Sequence, residues 1–292
     1  MLKNARNWVG LWQMMLMSEG RYEAFNKKYW ETHVNNFVLN TTQMADLTKK
    51  QLDRLQISPD SSVLEVGSGT GRITIPIAKR TKRVTAVEPT QGMLRLLKEN
   101  AQRENITNID FIDKSWEEVV VGKDVPIHDI AFASFSLFMK DIEMGLRNLN
   151  AVAKKRVYIF TLASKWVEDD IQKLVYGDVT PLEVPDYLYL YHILHDLGIL
   201  ANIDICEYDY DRCFASPEAC LIWFLDNYNV PAKKVDAAKE YLRGVIIEKD
   251  EKFWFKRNQK MAMIWWDKAP PIVSSKKNNK KEEESCKTKK LL

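Results

Sequence analysis

The sequence predicts an α/β fold: a doubly wound, mostly parallel seven-stranded sheet with helices on both faces, an N-terminal helical cap and helical insertions in the C-terminal half. Three observations carry it. Short β-branched runs alternate with stretches of helical apolar spacing over residues 61–163. A strand–glycine–helix corner, V-L-E-V-G-S-G-T-G-R-I-T-I-P-I-A, occupies Val63 to Ala78. A second strand, Arg83 to Glu88, then ends in an acid 21 residues after Gly67.

Composition bounds the function. The chain has 292 residues, 46% of them apolar, enough for one large α/β domain with additions. Four cysteines are too few for a disulfide scaffold. Cys206, Cys213 and Cys220 recur every seven residues and match no C-x-x-C spacing, so no metal is expected, and the setting reads as reducing and cytoplasmic. No run of about eighteen apolar residues occurs, so no membrane span is expected. Lys3 and Arg6 before Trp8 to Met17 loosely imitate a secretory leader. Gln13 interrupts that run, and Ser18-Glu19-Gly20-Arg21 makes a poor cleavage site, so the stretch reads as an amphipathic helix. The net charge is +3; the tail from Ser274 holds seven lysines and three glutamates, a local +4 that leaves −1 for the rest. A near-neutral folded part offers no electrostatic footprint for nucleic acid, which argues for a small-molecule partner.

In the corner, Val63, Leu64 and Val66 suit a buried parallel strand. Gly67, Gly69 and Gly71 tolerate positive φ and let a ligand approach the backbone. Ile73, Ile75, Ile77 and Ala78 lead into a helix with Pro76 in its first turn. A dinucleotide site wants G-x-G-x-x-G with Gly or Ala third, and that place is Arg72, which counts against a nicotinamide enzyme. The glycines run G-x-G-x-G instead, with Glu65 two residues before the first. Glu88 follows at the roughly 20-residue spacing at which a strand-end acid meets a ribose.

These residues resemble motif I and its companion acid in the class I S-adenosylmethionine-dependent methyltransferases. The resemblance implies S-adenosylmethionine as cofactor. Glu65 would reach its amino-acid end, and the turn Gly67-Ser68-Gly69 with Gly71 would pass under its sugar and methionine. Glu88, beside Pro89, would take the ribose hydroxyls. Met93 would pack on the adenine, although it also reads as core. Asp113-Lys114-Ser115-Trp116, after the third strand Asn108 to Asp113, resembles the segment that holds the adenine amino group and flanks the ring; Ser115 with Glu117 and Glu118 also reads as a helix start. Asp129 to Ser134 is the fourth strand, and Ser134 falls at the family's methyl-transfer cavity. The absence of an N-P-P-[YF] run and of a Pro-Cys pair disfavours nucleobase methylation.

The remaining segments complete the fold. Residues 1–58 read as a helical cap, in which Phe25 to Glu31 resembles a segment that family members fold over the cofactor through residues such as Tyr29 and Trp30. Thr41 or Thr42 is placed to cap a helix from Met44 to Leu55. Residues 59–163 form the cofactor-binding core, with a helix opened by Asp141 and a fifth strand from Arg156 to Leu162. Residues 164–270 hold a helical insertion from Trp166 to Gly198 with Pro181 and Pro185, a sixth strand over Ala201 to Tyr210, helices from Ser216 and from Ala232 to Ile247, and a seventh strand running through Phe253-Trp254-Phe255 to Trp266. Residues 271–292 read as a disordered Lys/Glu-rich tail. The expected activity is methyl transfer to O, N or S of a small-molecule acceptor by in-line displacement, in a monomer or homodimer, with no nucleic acid or membrane partner. His33, Asp141 and His192 are weak nominees for a general base; the i,i+3 pair His192 and His195 lacks a third metal ligand. The alternative is a catalytically silent fold that binds the cofactor and acts as a regulatory subunit.

Overall fold

The computed structural model describes residues 7–17, 27–165, 167–177 and 185–268. The expectations for Ser18 to Arg21, Phe25, Asn26, Trp166, Pro181 and the tail from 271 concern residues outside those described.

Four helices come first: α1 (Trp8–Met17), α2 (Lys27–Thr32), α3 (Val34–Thr42) and α4 (Ala45–Arg54). The alternating core follows as β1 (Ser62–Val66), α5 (Thr74–Ala78), β2 (Arg83–Val87), α6 (Gln91–Arg103), β3 (Ile109–Ile112), β4 (His128–Ser134), α7 (Ile142–Val152) and β5 (Ala153–Leu162). The C-terminal half adds α8 (Asp169–Tyr176), α9 (Tyr187–Asp196), β6 (Asn202–Asp209), β7 (Arg212–Phe214), α10 (Pro217–Asn227), α11 (Val235–Val245), β8 (Ile246–Lys249), β9 (Lys252–Phe255) and β10 (Asn258–Asp267).

The seven-stranded sheet has the order β3-β2-β1-β4-β5-β10-β6, with β10 antiparallel to both neighbours and the other described pairings parallel. Alternation along the strands explains the two covered faces. Leu64, Val66, Ala131, Ala133, Val157 and Ile159 face a core shared with α1, α7 and α9. Val63, Ala86, Ile130, Phe132, Tyr158 and Phe160 face α4, α5 and α6. The chain leaves β1 for β2 on one side and later returns to add β4 on the other. The β1/β4 boundary is therefore the switch point where doubly wound sheets open a crevice.

Several local signals behave as their chemistry dictates. Asp141 caps α7 by accepting from the Met144 amide at 3.0 Å, and Ser216 caps α10 with Pro217 at its first turn. Gly198, at φ 75°, stops the chain after α9. Other readings are corrected. Met44, not a threonine, precedes α4; the Thr41 hydroxyl donates back to the Phe37 carbonyl at 2.9 Å. Helix α1 leaves the cap: Trp12 is 1% exposed and its indole donates to the Met139 carbonyl at 2.9 Å, which packs α1 into the core. The expected last strand is two strands. Phe253-Trp254-Phe255 belongs to β9, and Lys256 and Arg257 break the run before β10. A second sheet, β7-β9-β8, thus forms between β6 and β10 and packs with α8, α10 and α11 around Phe224 and Phe255.

Candidate active site

At the end of β1 the chain must turn within a few residues while β2 runs alongside. The Gly67 and Ser68 amides both donate to the Val87 carbonyl, at 2.8 and 3.1 Å, which draws the turn across the tip of β2. Gly67 and Gly69 have φ of 71° and 53°, and a Cβ on Gly67 would lie 2.3 Å from the Ser136 Cβ. Ser136 donates to the Val66 carbonyl at 2.5 Å, so the loop after β4 is fastened to the tip of β1. Phe135, at φ 54°, holds a left-handed conformation costly for an aromatic residue, immediately after Ser134.

Both predicted acids are buried at this turn. Glu88 accepts from the Gly69 amide at 2.8 Å and from the Thr90 amide at 2.9 Å. Burial raises its pKa, against the pull of those hydrogen bonds. Glu65 is 2% exposed and accepts from the Thr74 hydroxyl at 2.5 Å. Burial pushes its pKa up to about 8, although the Thr74 hydrogen bond and the Arg72 charge both oppose the shift. Arg72 bonds the Thr48 hydroxyl and the Gln51 carbonyl oxygen, each at 2.8 Å, and reaches the Ser134 hydroxyl at 3.4 Å. Burial brings its guanidinium down to about 10, and Glu65 holds it from falling further. The Ser68 hydroxyl is buried without a hydrogen-bond partner among the described residues. Two buried acids at a turn of alternate glycines suit a polar, cationic ligand.

Helices α2 and α3 roof this turn. Glu31 accepts from the Gln91 amide at 2.7 Å and the Gly92 amide at 3.4 Å, which caps α6 from outside. Val34 lies against Gly92, and the Phe37 ring covers Gly69, 3.0 Å from where its Cβ would stand. Trp30 meets Phe37 edge-on, and Tyr29 meets Trp30 edge-on and stacks on His33. Burial and the Asp226 carboxylate on α10 raise the Tyr29 pKa. No residue of α2 is buried, so this part of the roof is exposed to solvent.

The other expected residues divide. Met93 is buried near Gly69, and Asp113 accepts from the Gln91 side chain beside the roof. Pro89 follows Glu88 at the same corner. Lys114 pairs with Asp124 at 2.7 Å, and Ser115 forms a capping box with Glu118. The Trp116 indole donates to the Gly145 carbonyl at 2.9 Å, in the core. His33 precedes α3, its Nδ1 within 2.8 Å of the Tyr29 carbonyl. Asp141 is a helix cap, and His192 stacks on Trp8 at 4.0 Å, so neither joins the acids. The sequence reading missed Phe37, Gln51, Ser136 and the role of Glu31. Only Glu31 had a signal, as an acid inside the aromatic cap segment.

Comparison with known proteins agrees with the geometry. A family profile described as a methyltransferase domain matches residues 63–156. A Haemophilus influenzae protein without an assigned function is 25% identical over 277 residues, covering 89% of this chain and 96% of the relative. Ribosomal RNA small subunit methyltransferase A of Malacoplasma penetrans is 32% identical over 115 residues, 39% of this chain, and the match spans 40% of that enzyme's length. A solved Bacillus halodurans structure assigned to a methyltransferase superposes with a TM-score of 0.51 at 14% identity, covering 75% of this chain and 97% of that one. The ribosomal RNA relative overturns the expectation of a small-molecule acceptor with nucleic acid disfavoured. A whole-chain sum does not register local charge: a surface pocket of about 410 Å³ is lined by Lys49, Arg72 and Arg80 together with Asp53, which pairs with Lys49. Among the described residues no group of three or more His, Cys, Asp or Glu is arranged to hold a metal ion, and no helix is long and apolar enough to cross a membrane.

Proposed function

We propose, since this chain carries a class I, S-adenosylmethionine-dependent methyltransferase domain, that the glycine corner beneath α2 and α3 holds the cofactor and that methyl transfer occurs at the Ser134 end of β4. S-adenosylmethionine would supply an electrophilic methyl on a sulfonium, open to in-line attack by an O, N or S of the acceptor, with the S–CH3 bond breaking and neutral S-adenosylhomocysteine leaving. The single observation that carries the reading is the hydrogen bond from the Gly69 amide to Glu88. It brings the second acid onto the glycine turn at the switch point of the sheet.

The chain's own residues have defined work in this reading. A carboxylate offers about four acceptor positions; Glu88 uses two on backbone amides and a third faces the Thr90 hydroxyl, which leaves capacity for a ribose hydroxyl. Glu65 supplies a counter-charge for the amino-acid end, and Arg72 keeps that charge from standing alone in an apolar setting. Phe37 must lift from Gly69 for the cofactor to enter, and its return excludes water from the reacting groups. Alignment of the acceptor with the methyl group contributes up to about 7–11 kcal/mol in favourable cases, so no strong acid–base pair is required.

Calorimetry with S-adenosylmethionine and its demethylated product tests the reading. One-to-one binding is the expected result. No binding of either ligand at about millimolar concentration rejects it.

A further inference from the structure

We propose that the acceptor carries an oxyanion, a carboxylate or a phosphate, and that Arg212 receives it. This deepens the methyltransferase reading and rests on it. Arg212 begins β7, just beyond the end of β6, and is 1% exposed. The face of its guanidinium lies over the Tyr210 ring, with Cζ 3.8 Å from the centroid. Nη1 donates to the Asp211 carbonyl at 3.0 Å. Nε and Nη2 are buried and have no hydrogen-bond partner among the described residues. Those two nitrogens form the side-on edge of the guanidinium, whose parallel N–H bonds match the two oxygens of a carboxylate or phosphate.

Two of the neighbouring acids are engaged in ion pairs. The Asp211 carboxylate pairs with Lys256 at 3.4 Å, and Asp170 pairs with Arg257 at 3.0 Å. Glu168 accepts from the Gln259 amide at 2.6 Å, and its other oxygen is buried without a bond. A buried guanidinium with a vacant fork is costly unless an anion completes it. A water molecule satisfies an N–H but leaves the charge uncompensated.

The position fits an acceptor. Strand β6 runs parallel to β5, so its end points the same way as the ends of β4 and β5; by register Ser134 is level with Asp204, and Tyr208 and Asp209 project beyond it. The Tyr208 hydroxyl senses both Arg72, which touches Ser134, and Arg212. The roof is tied to the same place: the Cys213 amide donates to the Gln43 side chain at 2.6 Å, and that side chain donates to the Cys213 carbonyl at 3.3 Å.

The test titrates the full chain, saturated with S-adenosylhomocysteine, with inorganic phosphate and separately with benzoate, at constant ionic strength. Thermal shift and calorimetry are the readouts, and chloride is the control. The expected result is saturable binding of one anion, with the preferred one identifying the acceptor's group as tetrahedral or planar. Arg212→Met should weaken that binding at least tenfold and leave S-adenosylhomocysteine affinity within about twofold. If the methionine variant does not fold, Arg212→Lys serves; it keeps the charge, loses the fork, and should also weaken binding about tenfold. Neither anion binding to wild type while S-adenosylhomocysteine binds would overturn the proposal, as would undiminished binding in the folded variant. Failure of S-adenosylhomocysteine itself to bind would instead reject the methyltransferase reading.

Discussion

Replacing Glu65 by Gln should reverse part of the pH dependence of folding stability. Glu65 ionises near pH 8 in the folded chain, against 4.5 for an unperturbed glutamate. The unfolded chain therefore loses this proton first. The favourable contribution is complete below about pH 4.5, falls as pH rises through the window, and is gone above about pH 8. At about 1.4 kcal/mol per unit, wild type loses on the order of 3 kcal/mol from this group between about pH 5 and pH 8. Gln cannot ionise, and its amide oxygen still accepts from Thr74. Its amide nitrogen adds a desolvation cost of about 1–3 kcal/mol, but that cost does not vary with pH. The slope of stability against pH is thus the diagnostic quantity. Urea unfolding of both proteins at about pH 5, 6, 7 and 8 should show the variant gaining on wild type by on the order of 3 kcal/mol across the range. Parallel curves would refute the claim that Glu65 is buried and protonated in the ligand-free fold.

The same carboxyl should register cofactor entry. A cationic amino group beside Glu65 favours its ionised form, so binding near pH 7 should release close to one proton, seen as buffer-dependent calorimetric enthalpy, and Glu65→Gln should abolish the release. His128 is 1% exposed, both ring nitrogens lack hydrogen-bond partners among the described residues, and burial takes its pKa down to about 4. A depressed histidine pKa gives stability that is complete above about pH 6.5 and lost as pH falls toward 4, so His128→Gln should flatten the acid side of the stability profile; an unchanged acid limb would contradict this. Phe37→Ala should cost roughly 1–2 kcal/mol of stability and accelerate S-adenosylhomocysteine association in stopped-flow fluorescence, because it removes the ring over Gly69. An unchanged association rate would mean that the roof does not gate the corner.

The corner was legible because its chemistry is local. Three alternate glycines, a strand on one side and acids at two strand tips fix the turn and the switch point without distant information. Helix caps such as Asp141 and Ser216 were legible for the same reason. What escaped the sequence depends on partners far along the chain. Gln43 meets Cys213 across 170 positions, and Gln51 meets Ser134 across 83. The second sheet was hidden because Phe253-Trp254-Phe255 and the run from Met261 to Trp266 read as one strand, although five polar residues, Lys256 to Lys260, lie between them. Arg72 was weighed solely as a misplaced residue in a dinucleotide motif, yet its charge is what accompanies buried Glu65. Phe135 gave no warning, since left-handed backbone at an aromatic residue is imposed by the strand ends around it: its amide donates to Phe160 at 2.8 Å while Ser136 is fastened to Val66.

The roof joins two regions that the sequence separates. At one end Glu31 caps α6 and Phe37 covers Gly69; at the other Gln43 is bonded to the backbone beside Arg212, and Tyr29 faces the charge of Asp226. Helices α2 and α3 are short and consecutive, with His33 alone between them, so displacing Phe37 also strains the Gln43 contacts. A ligand that raises the roof at the glycine turn therefore lowers the cost of rearranging β7 for a second ligand. By linkage the second must favour the first by the same factor. Order of binding can then be set by exposure: the roof over the corner has no buried residue in α2, whereas Arg212 is buried behind β6 and β9. The corner yields first, so cofactor before acceptor is the sequence of events this architecture favours.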